Sequence, residues 1–171
     1  KVNFTSLITL IDVLGSIEVN SEHDFYGYNN THFVKGMNTL NAEQALEFSR
    51  TRKGVDGGDI TRGLNQLEVI KGIINKMIQP SILLNINGVV NKVASSVDTN
   101  FGSSNLSKLI SKQLNDGKSW NFEQGTMLGT PGYDYTLSYP NQSLYIYYPD
   151  VDSVQEIRQQ ILDTIAGTVE E

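Results

Sequence analysis

The chain has 171 residues, a formal charge of −6 and no cysteine. That length allows one good-sized domain or most of a larger one. Without cysteine there are no disulfides, no thiol catalysis and no cysteine-based metal site. The acidic balance excludes a broad phosphate-backbone interface with nucleic acid, so any anion binding must be local.

The chain opens on Lys1 without a methionine, which reads as a processed or excised product. Phe4, Leu7, Ile8, Ile11 and Leu14 recur at helical spacing and Gly15 follows them, predicting a helix over residues 4–14. Asp12 in its middle, with no small-residue cleavage site after it, argues against a signal peptide. No apolar run reaches the roughly 18 residues that a membrane span needs. "SIEV" (residues 16–19) reads as a short strand, and "HDFYGYNNTHF" (23–33) as a loop. Asn41 with Gln44 three residues on is a capping-box pattern, opening a helix through about Phe48.

A second helix is expected after Gly57-Gly58, capped by Asp59 or Thr61 and running to about Ile78. On a helical wheel Leu64, Leu67, Ile70, Ile74, Met77 and Ile78 share an apolar arc. Pro80 lies just beyond its end. Shorter amphipathic helices are expected over residues 85–95 and 105–115, followed by a turn at "LNDGKSW". From Trp120 to Tyr148 the pattern is β: "TMLG", a Thr-Pro-Gly turn, "YDYTLSY" and "SLYIYY". Asp152 or Ser153 caps a last helix that Gly167 closes. Intermixed helices and strands predict an α/β fold, a mixed layered sheet with helices on both sides, in one domain over residues 1–171.

The chemistry concentrates in "ALEFSRTRKGVDGGDITRGLNQ" (45–66). Of four arginines in the chain, Arg50, Arg52 and Arg62 fall in this stretch. Arg50 and Arg52, two apart, share a side if the chain leaves its helix extended near Ser49. Arg62 and Gln66, four apart, are neighbours on one face of the next helix. A glycine turn beside a helix N-terminus adds backbone donors, and several arginines with bidentate geometry suit a pyrophosphate better than a carboxylate. On spacing alone a second reading stays open, in which the arginines pair with Glu47, Asp56 or Asp59 as ordinary local ion pairs.

Other signals carry less. His23 and His32 lack a third ligand at zinc spacing and read as surface or core residues. No Ser-His-Asp arrangement, nucleophile elbow, Walker loop or dinucleotide fingerprint is present. The alternating tyrosines after residue 132 read as ordinary strand faces.

"LIDVLGSIEV", then "F…GMNTLNAEQALEFSRTRKGVDGGDITRGLNQLEVIKGI", resembles the LytR–CpsA–Psr family of Gram-positive bacteria. "SYPNQSLYIYYPDVDSVQEI" is similar to that family's closing strand and helix. The resemblance covers nearly the whole chain and is most specific through residues 4–75.

It implies the C-terminal part of a membrane-anchored, extracytoplasmic phosphotransferase. Such an enzyme moves a glycopolymer, wall teichoic acid or capsular polysaccharide, from an undecaprenyl-pyrophosphate carrier onto peptidoglycan, with Mg2+ helping. The family's pyrophosphate-holding arginines correspond to Arg50 and Arg52, expected to be catalytic. Its Asp-x-x-Arg corresponds to Asp59 and Arg62, and its glutamine to Gln66. Val69 and Ile73 continue the Arg62–Gln66 stripe and are the expected lining of an apolar cleft for the polyprenyl chain.

Three departures stand out. Asn65 replaces the second arginine of the family's pair, and Ser16 replaces a glycine. The family's upstream Arg-x-Asp-Thr segment, whose side chains contact phosphate and metal, precedes Lys1. The Mg2+ ligands are therefore expected upstream, none is assigned within the chain, and residues 1–171 alone are expected to be inert. The alternatives are a non-catalytic binder of polyprenyl phosphate or wall polymer, and a transcriptional attenuator. Acidity and the lack of a helix-turn-helix signal oppose direct DNA contact.

Overall fold

The computed structural model describes residues 4–93 and 100–167. The chain divides into two compact units, residues 1–121 and 122–171.

In the first unit, helix α1 (Phe4–Leu14) stops at Gly15, whose positive φ of 90° suits a residue without a Cβ. Strand β1 (Ile17–Ser21) follows and alternates buried and exposed residues along its length. The segment read as a loop contains a two-residue ladder, β2 (Phe25–Tyr26) with β3 (His32–Phe33), its turn reversing at Asn30 with φ 66°. Phe25 and Phe33 join Phe48 in an aromatic cluster with ring centroids 5.0–5.6 Å apart. Strand β4 (Gly36–Leu40), which the sequence pattern did not announce, pairs antiparallel with β1 from Ile17↔Leu40 to Ser21↔Gly36.

Asn41 caps α2 (Ala42–Arg50) with both hydrogen bonds of the capping box, as expected, and the helix runs two residues past Phe48. Helix α3 (Asp59–Met77) opens at Gly58 with no side-chain cap. Thr61, an expected cap, instead donates its hydroxyl to the Asp56 carbonyl and braces the preceding turn. The buried face of α3 also differs from the expected apolar arc. Thr61, Asn65, Val69, Gly72 and Ile73 are buried, while Leu67 and Ile70 are exposed. Gly72 accounts for this choice, since a Cβ there would strike the Glu18 carbonyl of β1, so α3 lies on the strand at its smallest residue. Glu68 adds a tether by accepting from the Asn20 amide at 3.2 Å.

Pro80 is the first residue of a short helix, α4 (Pro80–Leu83), a position where its missing N–H costs nothing. Helices α5 (Ile86–Val93) and α6 (Ser103–Asp116) match the two amphipathic segments, although the expected end of the first, residues 94–95, lies outside the described residues. The core joins α1, β1, α2, α3 and α5 through Ile11, Ile17, Phe48, Val69, Ile73 and Val89.

The second unit is a hairpin and a helix. Strands β5 (Gly129–Thr136) and β6 (Tyr139–Pro149) pair antiparallel. "TMLG" precedes the ladder and contributes only Gly129 to it. Thr130-Pro131-Gly132 is not a turn but part of β5, with Pro131 opposite Tyr147; a two-stranded ladder has only edge strands, where proline is tolerated. Helix α7 (Val151–Ala166) is capped by Asp150, whose carboxylate accepts from the Ser153 amide at 2.8 Å, and it ends at Gly167. The cap falls two or three residues earlier than expected because Ser153 uses its hydroxyl to accept from the Leu128 amide. The described strands thus form three two-stranded antiparallel ladders among seven helices, a mixed helix-and-sheet fold.

Candidate functional site

The end of α2 and the start of α3 are sewn together by side-chain amides. Asn65 donates to the Phe48 carbonyl at 3.4 Å, and Gln66 donates to the Ser49 carbonyl at 3.3 Å. These are carbonyls of the last helical turn, which lack partners within their own helix. The same contacts set the expected residues around one junction. Arg50 is the last residue of α2, one position after Ser49, and Arg62 lies one turn before Gln66 on α3.

Thr51 then turns the chain outward. It is buried, with extended backbone (φ −66°, ψ 126°), and both its amide and its hydroxyl bond the Glu47 carbonyl. Alternation about a buried Thr51 leaves Arg50 and Arg52 exposed on either side of it.

Each arginine is held differently. The Arg50 guanidinium carbon lies over two rings, 5.0 Å from the centroid of Phe4 and 5.7 Å from that of Tyr28. Arg62 donates through Nη2 to Asp59 Oδ1 at 2.6 Å, one turn earlier on the same helix. Arg52 has no ion pair or hydrogen bond with another described residue. Among the described residues the local ion-pair reading therefore holds for Arg62 with Asp59, and not for Arg50 or Arg52.

Glu47 takes a role that the sequence did not suggest. It is 2 % exposed and forms no ion pair with another described residue. Its two carboxylate oxygens accept from the Asn29 amide and the Thr31 hydroxyl, each at 2.6 Å. Gly27 leaves room for it, since a Cβ there would overlap the carboxylate. Asn65 likewise becomes intelligible: it is 4 % exposed, in a space that fits a short amide joined to α2.

Val69 and Ile73 do continue the Arg62–Gln66 stripe, but they do not line an open cleft. The stripe turns towards β1 after Gln66, leaving Val69 at 1 % and Ile73 at 8 % exposure inside the core. A cavity of about 250 Å³ at the end of α6, lined by Leu109, Lys112, Gln113, Asp116, Lys118 and Trp120, includes none of the expected site residues. His32 bonds Asp24 at 2.9 Å and stacks on Tyr26, a surface role. Among the described residues no three His, Cys, Asp or Glu side chains cluster as a metal site requires.

The end of α2 and the start of α3 thus present arginines beside a glycine turn within a mixed helix-and-sheet fold. The chain belongs to the LytR_cpsA_psr family, whose model matches residues 1–162. It is 30 % identical over 165 residues to the polyisoprenyl-teichoic acid–peptidoglycan teichoic acid transferase TagU of Bacillus subtilis, covering 96 % of this chain and 51 % of that protein. The crystal structure of B. subtilis TagU superposes with a TM-score of 0.69 at 29 % identity, covering 95 % of this chain and 62 % of that one. The X-ray structure of Lin1025 from Listeria innocua gives 0.70 at 26 %, covering 94 % and 63 %. The chain spans about half the length of the B. subtilis relative.

Proposed function

We infer that this chain carries the pyrophosphate-binding part of a glycopolymer–peptidoglycan phosphotransferase. The observation that carries the reading is the amide-sewn junction, which sets Arg50 and Arg52 on one helix end beside Arg62 and Gln66 on the next. The names of the relatives support transfer over simple binding or transcriptional attenuation.

In the reaction a peptidoglycan hydroxyl attacks the phosphorus that bears the polymer, wall teichoic acid or capsular polysaccharide. The bond from that phosphorus to the bridging oxygen breaks, polyprenyl phosphate leaves, and the hydroxyl proton passes to solvent or base. Negative charge grows on the bridging and leaving oxygens, and guanidinium donors fixed there stabilise the transition state more than the ground state. Arg50 and Arg52 have the exposure for this. Arg62 contributes a further fork, part of which its ion pair with Asp59 occupies until the anion arrives. Val69 and Ile73 are packed in the core, so no path for the polyprenyl chain is assigned to them. Asp59 is committed to Arg62 and the described residues cluster no metal ligands, so no step is assigned to Mg2+ held here.

On this reading the chemistry takes place at the outer face of a Gram-positive cell membrane. No helix among the described residues is long and apolar enough to cross that membrane. The test is transfer of labelled polymer in a full-length protein containing this chain. Arg50→Ala and Arg52→Ala should each lower the rate by roughly 10²-fold, the usual loss for one transition-state donor. Wild-type rates in both variants would show that the arginines are structural.

A further inference from the structure

We propose that Phe4 and Tyr28 are positioning residues for Arg50, and that buried Glu47 holds Tyr28 in place. The proposal rests on the reading of Arg50 as a pyrophosphate ligand and adds how its guanidinium is aimed.

The argument begins with geometry. Phe4 and Tyr28 are 58 % and 55 % exposed, large aromatic side chains that burial alone does not explain. Both lie against one guanidinium, at 5.0 and 5.7 Å from its central carbon. They come from unrelated segments, the first turn of α1 and the turn between β2 and β3, and they meet at the last residue of α2. A guanidinium is attracted to a ring through its face, whereas its five N–H donors lie in its plane. Ring contact therefore restrains an arginine without spending the donors that an anion needs. A carboxylate restrains it by consuming them, as Asp59 does for Arg62.

The turn that carries Tyr28 is itself fixed. Asn29 and Thr31, flanking the turn residue Asn30, both bond the buried Glu47 carboxylate on α2. Gly27 packs against the same carboxylate, and its amide donates to the Thr31 carbonyl at 2.9 Å. Glu47 lies three residues before Arg50 on one helix, so a single turn of α2 sets both the guanidinium and the ring over it. Restraint before binding lowers the side-chain entropy lost when the anion arrives.

The chain has only four arginines, so four Nε–Hε signals report on them in a ¹⁵N-labelled full chain, and loss of one signal in Arg50→Lys assigns it. Order is read from the heteronuclear NOE without ligand, and inorganic pyrophosphate is then titrated by calorimetry at low salt. Tyr28→Ala and Phe4→Ala should each lower the NOE of Arg50 while leaving that of Arg62 unchanged. Tyr28→Phe, which keeps the ring, should retain the wild-type value. Pyrophosphate affinity should fall about two- to fivefold in each alanine variant, as for loss of one exposed cation–π contact, and stay at the wild-type value in Tyr28→Phe. Arg50 order unchanged in both alanine variants overturns the proposal. Order lost as expected, with no pyrophosphate binding even by the wild type, supports the aromatic restraint and overturns the pyrophosphate reading alone.

Discussion

Arg50 and Arg62 serve one junction from two helices, and the chain restrains them by opposite means. Arg50 meets aromatic rings, and no carboxylate takes its donors among the described residues. Arg62 is tied by Nη2 to Asp59, an exposed pair whose partners are 36 % and 68 % accessible. The difference separates positioning from neutralisation. An arginine beside a carboxylate is already partly satisfied, and an incoming phosphate must compete for it. An arginine beside rings keeps its charge uncompensated until the anion arrives. The two restraints also differ in depth: the rings at Arg50 trace back to buried Glu47, while Asp59 lies at the surface.

The most forceful way to break the Arg50 side is to remove its buried support. Glu47→Leu keeps similar bulk but leaves the Asn29 amide and the Thr31 hydroxyl without their acceptor. Unsatisfied polar groups at a buried site cost roughly 2–4 kcal/mol together. Urea unfolding should show that loss, and the Arg50 Nε signal should lose order while that of Arg62 does not. Unchanged stability would mean that the turn carrying Tyr28 stands without the carboxylate.

A smaller effect is expected where the two arginine-bearing helices join. Asn65→Ala removes the 3.4 Å bond to the Phe48 carbonyl and empties part of a buried site. The long bond places the cost at about 1–2 kcal/mol, again read from urea unfolding. Pyrophosphate affinity should fall with it, because Arg62 and Gln66 lose their register against Arg50. If affinity holds while stability drops, the two arginines bind independently and the junction is only structural.

What could be read in advance divides along these physical lines. The capping box at Asn41 and Gln44 and the stops at Gly15 and Gly167 were legible, because each is a local backbone requirement met within a few residues. The clustering of Arg50, Arg52 and Arg62 was equally visible, since it is a matter of composition and spacing. Glu47 was not, because a carboxylate on a helix reads as solvated until its partners, 16 and 18 residues earlier in the chain, are known. The buried face of α3 was misjudged for a related reason. Leu67 and Ile70 form the more apolar arc, yet Gly72 permits the close approach to β1, and long-range bonds satisfy Asn65 within the core. The strand at Gly36–Leu40 escaped notice because its residues carry weak β-propensity and gain their place from pairing with β1. Tertiary partners decided these cases, and no short window contains them.

The Arg62 side offers the gentlest and most discriminating test. Asp59→Asn keeps the side chain's size and its place in the first turn of α3, but removes the negative charge 2.6 Å from Arg62 Nη2. Because the pair is exposed, its loss should change stability by less than about 1 kcal/mol. The effect on an anion is larger than that on the fold, since one carboxylate no longer repels it and one guanidinium fork is released. Calorimetry with inorganic pyrophosphate at low salt should therefore show binding tightened by about two- to fivefold, as a charge contribution of up to about 1 kcal/mol in water allows. Raising the salt to 0.5 M should erase most of the gain, because screening weakens both the repulsion removed and the attraction released. The opposite result, weaker pyrophosphate binding in Asp59→Asn, would mean that Asp59 earns its place by aiming Arg62 at the anion. Positioning by a carboxylate would then stand beside positioning by aromatic rings, and the contrast between the two arginines would reduce to a difference in the restraining group.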